Sequence, residues 1–257
     1  MYLNKTPKIK KDLSILISSC DSYSDLWNPC FKMFNKFWPD CPYKKFLLCE
    51  TKNIKTNNEL TNFNINVINV NSNYWSKRLV IALDKIDSDY ILLYLDDFFL
   101  KGKVLNDHFI NLFDEVLKNE INMLRLIPRP GPNKIYNNKK NIGILNPNDR
   151  FYVSTQASIW KKEILKSLLV NEESIWEFEE NGSIRAKKII NFYSVYKSVI
   201  PYIHHDIERG QWFPWSYLMF KKYLLEDKRK ILSSIFVLKF FIMKLTLPVL
   251  RFFKLIK

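Results

Sequence analysis

Two adjacent carboxylates, Asp96 and Asp97, follow an apolar run of six residues at positions 90–95, YILLYL. Such a run is typical of a buried strand, and in a sheet covered on both faces ligands bind beyond the carboxyl ends of the strands. Neighbouring carboxylates repel each other unless a cation or strong hydrogen-bond donors offset their charge. The pair therefore predicts a ligand or metal site at the edge of a sheet. A turn that caps a helix is the structural alternative.

A second acidic group surrounds two aromatic residues, Trp176 and Phe178. Five glutamates lie between positions 172 and 180 in a chain whose formal net charge is +14. Burial beside aromatic rings raises the pKa of a carboxyl group toward values suited to a general base. We therefore expect Glu177 or Glu179 to take a proton from an alcohol. The alternative is that these glutamates form the solvated, acidic start of a helix.

Histidines occur side by side at His204 and His205, between an apolar segment and Gly210. They could contact a metal or a phosphate, although a histidine pair without further ligands at regular spacing is more often structural. The chain has no GxSxG, P-loop or GxGxxG motif. This argues against α/β-hydrolases, P-loop NTPases and ordinary dinucleotide-binding proteins.

The elements that would position these residues alternate between strand and helix patterns, which predicts an α/β fold. We predict strands at residues 13–20, 45–50, 64–70, 90–95, 123–127 and 151–155. Helices are predicted at 23–37, 75–86, 106–117, 156–169 and 185–196, and loops at 128–149 and 171–183. The order resembles that of a sheet flanked by helices.

Composition supports a folded chain of 257 residues, because 47% of them are hydrophobic and only 5 are glycine. This excludes acidic disordered, collagen-like and low-complexity proteins. The excess of 40 basic over 26 acidic residues suits nucleic acid, an anionic membrane or a phosphorylated substrate. The four cysteines form no CxxC pair and no apolar run with a cleavage site follows the N-terminus, so we expect reduced thiols in the cytoplasm.

The last segment, residues 227–257, carries eight Lys and Arg residues among apolar ones. Its uncharged stretches are shorter than the roughly 20 apolar residues of a membrane span. The pattern favours a basic amphipathic tail at an anionic membrane surface, and a helix packed on the core is the alternative. We therefore predict a catalytic domain at residues 1–226 and a membrane-associating tail at 227–257.

An ordered set of short motifs resembles bacterial glycosyltransferases of capsule and lipopolysaccharide gene clusters. The motifs span about residues 13–215 and are ISSCDSYSDLW at 17–27, WPDCPY at 38–43, WS at 75–76, LDDFFL at 95–100, QASIW at 156–160 and WEFE at 176–179. The resemblance implies the GT-A fold: a Rossmann-like, mixed, mostly parallel sheet flanked by helices. It also implies a nucleotide-sugar donor, with UDP as the expected carrier, and a glycan or lipid-linked acceptor. Transfer with inversion is favoured over retention.

The same resemblance implies roles for particular residues. The expected donor-binding residues are Asp21, Trp75, Arg78, Asp96 and Asp97. Glu177 or Glu179 would be the base. Gln156 and Trp160 would lie on a helix that shapes the acceptor side, with Trp160 as a sugar-stacking platform or, alternatively, a core residue. Asp97 and His204 would hold Mn²⁺ or Mg²⁺. Phe98 stands where the second Asp of the common Asp-x-Asp motif would be, so dependence on a metal is left open.

Two other classes of protein are alternatives to a transferase on the inner face of the membrane. A basic nucleic-acid-binding protein would suit the charge, but the basic residues match no recognised module and the acidic segment would repel phosphates, so we expect no nucleic-acid partner. A metal-dependent hydrolase could use Asp96, Asp97 and His204, but further ligands at regular spacing are missing.

Overall fold

A computed structural model describes residues 13–54, 63–136, 139–203, 206–223 and 229–242 of the chain. These residues contain a nine-stranded sheet. Its strands in chain order are β1 (Leu13–Ser18), β2 (Lys44–Cys49), β3 (Ile65–Asn69), β4 (Tyr90–Leu95), β5 (Met123–Arg125), β6 (Lys134–Tyr136), β7 (Lys139–Ile144), β8 (Ser158–Lys161) and β9 (Phe192–Val195). In space the order is β3-β2-β1-β4-β8-β5-β9-β7-β6.

The sheet is mixed, and most of its strands point the same way. Strands β3, β2, β1 and β4 pair in parallel, as do β5 and β9. Strand β8 runs antiparallel to both β4 and β5, and β7 runs antiparallel to β9 and β6. The strands of this sheet other than β7 and β8 therefore share one direction, and the carboxyl ends of β1 and β4 meet at one edge. The predicted mixed, mostly parallel α/β fold is confirmed.

Helices cover both faces of the sheet because the strands are apolar on both sides. In β1, Ile15 and Ile17 belong to one core and Leu16 to the other, as expected when successive side chains alternate between faces. The helices are α1 (Trp27–Phe37), α2 (Trp75–Asp84), α3 (Asn106–Lys118), α4 (Lys162–Leu168), α5 (Ile175–Arg185), α6 (Pro214–Phe220) and α7 (234–242). Helices α1 and α3 pack into the first core, whereas α2, α4 and α5 pack into the second.

Four predicted elements near the site differ from the structure. The predicted helix at 156–169 is strand β8 followed by α4, and the predicted strand at 151–155 is irregular. The predicted loop at 171–183 contains α5, and the predicted helix at 185–196 is a short 3-10 turn followed by β9. In β8 and β9, pairing with strands that are distant in the sequence outweighs the local helical pattern.

Residues 229–242 pack against the rest of the chain through a small hairpin of β10 (Ile207–Glu208) and β11 (Gln211–Trp212). The amide of Trp212 donates to the carbonyl of Lys230 over 2.9 Å, and the amide of Leu232 donates to the carbonyl of Trp212 over 2.8 Å. The rings of Phe213 and Phe240 lie 5.1 Å apart. None of the described helices has the length and apolar character needed to cross a membrane.

Candidate functional site

A cavity of about 490 Å³ opens at the carboxyl ends of β1 and β4. Its floor comes from the ends of these two strands, and its walls come from α2, the segment before β8, the first turns of α5 and the β10–β11 hairpin. Lining residues include Ser18, Ser19, Cys20, Trp75, Arg78, Asp96, Asp97, Thr155, Gln156, Trp176, Glu179 and Arg209. The fold thus brings together segments that are far apart in the sequence.

Asp96 is the inward-facing member of the acidic pair and is only 5% exposed. Its Oδ2 accepts a hydrogen bond from the hydroxyl of Ser19, whose oxygen in turn accepts one from the indole N–H of Trp27 over 2.7 Å. Burial, followed by the charge of Asp97, raises the pKa of Asp96 well above its usual range. Asp96 therefore braces the end of β4 against the end of β1.

Asp97 has a buried oxygen, Oδ1, that accepts no hydrogen bond from any described residue. Burial raises the pKa of this carboxyl group to about 6. An unsatisfied buried acceptor in a cavity is what a bound cation or a ligand hydroxyl would satisfy. Within the described ranges no group of three or more His, Cys, Asp or Glu side chains could hold a metal. The other predicted metal ligand, His204, lies outside those ranges.

The predicted donor-binding residues of α2 line the cavity with Asp96 and Asp97. Arg78 is 6% exposed and forms an ion pair with Glu50, with 2.8 Å between Nη1 and Oε1. Its Nη1 also donates to the carbonyl of Ser72 over 2.6 Å, while its buried Nε has no partner among the described residues. The indole N–H of Trp75 donates to Ser18 Oγ over 2.9 Å. Arg78 thus places positive charge at the cavity wall, partly balanced by Glu50.

Asp21 does not line this cavity. Its carboxylate accepts hydrogen bonds from the backbone amides of Glu50, Thr51 and Lys52 and from the hydroxyl of Thr51. Burial raises the pKa of Asp21, but these bonds outweigh it and lower the pKa below its ordinary value. Asp21 borders a separate surface depression of about 600 Å³ with Lys52 and Arg229. Its predicted contact with the nucleotide stays a prediction.

The two predicted bases lie in different environments. Glu177 is exposed and forms a capping box with Ser174, since each side chain accepts a hydrogen bond from the other's backbone amide. The hydrogen bond from the Ser174 backbone amide lowers the pKa of Glu177 below its ordinary value. Glu179 lines the cavity, and its Oε1 accepts hydrogen bonds from the amide of Thr155 over 2.7 Å and from its hydroxyl over 2.8 Å. Of the two glutamates, only Glu179 lines the cavity.

The two residues predicted for the acceptor side also separate. Gln156 lines the cavity, and its Oε1 accepts a hydrogen bond from the hydroxyl of Tyr202 over 2.7 Å. Trp160 lies on β8, not on a helix, and is fully buried beside Phe192 with ring centroids 5.4 Å apart. Because the ring of Trp160 has no exposed surface, it has no face on which a sugar could stack. It is a core residue.

Several polar residues that line the cavity or lie beside its lining residues were not predicted from the sequence. Thr155, Tyr202 and Arg209 belong to segments without a distinguishing motif. Asp206, 1% exposed, accepts a hydrogen bond from the hydroxyl of Ser216, and burial raises its pKa to about 8. The only feature of the sequence that points to Asp206 is its position directly after His204 and His205.

No family model and no curated protein sequence matches the chain. Among solved structures, the fold is similar to that of S. aureus TarS residues 1–349 in complex with UDP, with 13% sequence identity and a TM-score of 0.53 over 83% of this chain and 64% of that one. The fold is GT-A-like. A second TarS 1–349 structure gives a TM-score of 0.52 at 14% identity over 74% of this chain, which spans 59% of TarS 1–349. A mycobacterial protein matches with a TM-score of 0.51 at 9% identity, over 79% of this chain and 70% of its own.

Proposed function

We propose that this chain is a glycosyltransferase. It moves a sugar from a UDP-linked nucleotide-sugar to a hydroxyl group of an acceptor. The observation that carries the proposal is the cavity at the carboxyl ends of β1 and β4, which contains both the buried, unsatisfied Oδ1 of Asp97 and the carboxylate of Glu179. The likeness in fold to TarS, which was solved with UDP, supports a donor of this class.

The donor would bind along the strand ends and α2. Arg78 supplies positive charge for the diphosphate, and Trp75 forms the adjoining wall. Asp96 holds the loop in shape and leaves Asp97 to face the ligand. A divalent cation, Mn²⁺ or Mg²⁺, would be held by Asp97 together with His204 and would offset the charge that develops on the departing diphosphate. Arg78 stabilises the same charge through its guanidinium.

Glu179 is the base in this proposal. Its Oε1 is fixed by Thr155 and Ser154, while no described residue donates to its Oε2. Oε2 takes the proton of the acceptor hydroxyl as that oxygen bonds to the anomeric carbon and the bond from that carbon to the diphosphate breaks. Attack from the side opposite the leaving group inverts the anomeric centre. Glu177 stays in the capping box that holds the helix start.

The acceptor in this proposal is a glycan or lipid-linked sugar of surface polysaccharide synthesis. Helix α7 turns apolar side chains to solvent, among them Ile235, Leu238 and Ile242, which are 69%, 62% and 50% exposed. Spacings of three and four residues place them on one face, and Lys239 lies next to Leu238. We infer that this face and the remainder of residues 227–257 rest on the anionic inner surface of the cytoplasmic membrane.

The donor assignment is tested by thermal shift with UDP, GDP, CDP and dTDP, each with and without Mn²⁺ and Mg²⁺. A ligand at a hundred times its Kd stabilises the folded state by about 2.7 kcal/mol. We expect one diphosphate to raise the Tm, with a loss of this shift in Asp97→Asn. The matched control is Asp84→Asn, because Asp84 pairs with Lys166 on the surface. If no nucleotide raises the Tm of the wild-type protein, the proposal is wrong.

A further inference from the structure

Trp176 is the most exposed of the large hydrophobic residues in the described part of the chain, at 74%, and it also lines the cavity. Among the described residues, no aromatic ring stacks on its indole and no group forms a hydrogen bond with it. Single exposed apolar residues are common on protein surfaces, but this one stands at the mouth of the candidate site. Its exposure leaves a flat apolar face available to a ligand.

The backbone under Trp176 is firmly held. The capping box of Ser174 and Glu177 fixes the first turn of α5. Immediately before it, the amide of Glu173 donates to Ser76 Oγ over 3.0 Å, and the amide of Ser76 donates to the carbonyl of Glu173 over 3.1 Å. The helix start is therefore tied to α2, which holds in place the backbone from which the indole of Trp176 projects.

Trp176 and Glu179 lie three residues apart on α5, so they share a face of the helix and are neighbours. We propose that Trp176 is a stacking platform for the acceptor sugar, which places the pyranose ring against the indole and one of its hydroxyls at Glu179. One face of a pyranose carries mainly C–H groups, and an aromatic face buries such a surface while the hydroxyls at the rim keep their hydrogen bonds. This inference rests on the proposed function.

The position of Trp176 favours the acceptor over the nucleotide. The residues proposed for the donor come from the ends of β1 and β4 and from α2, on the floor and one wall of the cavity. Trp176 comes from α5, the same helix as the proposed base, and a base must contact the acceptor hydroxyl. A sugar that reaches Glu179 from the mouth of the cavity passes over the residue one turn earlier.

The test is saturation-transfer NMR on the full chain with saturating UDP. The probes are methyl glycosides, namely β-D-galactopyranoside, β-D-glucopyranoside, its 2-acetamido derivative, α-D-mannopyranoside and α-L-rhamnopyranoside. We expect at least one to receive saturation mainly at the ring C–H protons of one face. Trp176→Ala should weaken this binding by about tenfold or more, since one face of the sugar returns to water. Trp176→Phe should keep most of it. Ile184→Ala is the control, because Ile184 is 63% exposed on the same helix and outside the cavity lining.

The UDP-induced thermal shift separates this inference from the proposed function. Wild-type protein that binds UDP but transfers saturation to none of the glycosides would overturn the stacking platform and leave the donor site intact. Loss of UDP binding in Trp176→Ala would assign the indole to the donor, which also overturns it. Wild-type protein that binds none of the four nucleoside diphosphates would refute the proposed function itself.

Discussion

Replacement of Glu173 by glutamine should destabilise the protein and loosen the helix that carries Glu179. The carboxylate of Glu173 accepts hydrogen bonds from Arg185 over 2.8 and 2.7 Å and from the side-chain amide of Asn181 over 3.1 Å. The side chains of Glu173 and Arg185 are 11% and 28% exposed, so the pair is largely shielded from water. It joins the residue before the capping box to the last residue of α5.

The size of the effect follows from these contacts. A hydrogen bond to a charged group contributes about 1.5–3 kcal/mol, and breaking a fully buried pair costs about 3–5 kcal/mol. Arg185 keeps its bonds to the carbonyl of Leu168, at 3.0 and 2.7 Å, and reaches solvent, so the lower range applies. We expect Glu173→Gln to reduce the free energy of unfolding by about 2 kcal/mol, and the Tm by about 4–8 °C for a chain of this size.

The effect should depend on pH in a definite direction. Burial raises the pKa of Glu173, but the hydrogen bonds from Arg185 and Asn181 outweigh it and leave the pKa below its ordinary value. A carboxyl group whose pKa is lowered on folding stabilises the protein above its unfolded pKa, about 4.3, and loses this contribution as pH falls through the folded pKa. The difference between wild type and Glu173→Gln should therefore be full at pH 7 and shrink below about pH 4.

Urea denaturation followed by circular dichroism at pH 7, 4 and 3 measures this difference. The matched control is Glu180→Gln in the same helix, because Glu180 and its partner Arg150 lie 3.1 Å apart but are 60% and 55% exposed. An exposed pair of this kind contributes about 0–1 kcal/mol. Equal losses in the two variants, or a Glu173→Gln loss that does not change with pH, would refute the reasoning.

Three further predictions address the base, a buried cation and the membrane surface. Glu179→Gln keeps an acceptor for Thr155, so it should preserve the UDP-induced thermal shift while slowing sugar transfer by about 10²–10⁴-fold, measured as UDP release; an unchanged rate would exclude Glu179 as the base. Arg125→Met leaves the carbonyls of Pro130, Phe151 and Tyr152 without their donor and should cost about 3 kcal/mol in urea denaturation, whereas an unchanged midpoint would contradict it. The double variant Ile235→Ser, Leu238→Ser should pellet less with phosphatidylglycerol vesicles than the wild-type protein. Ile190→Ser is the control, because Ile190 is 71% exposed but lies outside α7, and it should pellet like wild type. Equal pelleting of the double variant and wild type would contradict the proposed membrane surface.

The floor of the site was predictable because its signals are local. The apolar run of β4 and the two carboxylates after it are contiguous in sequence, and a strand buried on both faces leaves no other place for Asp96 and Asp97 than its end. The resemblance to bacterial glycosyltransferases predicted that Arg78 would bind the donor together with these two carboxylates. The structure brings all three to one cavity.

The walls could not be predicted in the same way because their signals are not local. The glutamates before and within α5 predicted a carboxylate-rich loop, with a solvated helix start as the alternative. The structure has a helix there, fixed by its capping box and by the full burial of Phe178. Strand β8 exists because it pairs with β4 and β5, which no short window contains. Likewise nothing in the sequence distinguishes Trp160, fully buried, from Trp176, 74% exposed.

The contact between Arg229 and Asp25 has a consequence for synthesis of the chain. The guanidinium of Arg229 donates to both carboxylate oxygens of Asp25, at 2.6 and 2.8 Å, and lies 4.1 Å from the ring of Tyr23, which lines the cavity. The paired residues are 204 positions apart. Strands β1 and β4, whose ends form the cavity floor, are therefore synthesised early. The contact of Arg229 with Asp25 and Tyr23, which braces this side of the cavity, can form only after residue 229 has left the ribosome. Nascent chains hold the acidic pair long before they hold this brace, so we expect the pocket to reach its final form only after residue 229 has been synthesised.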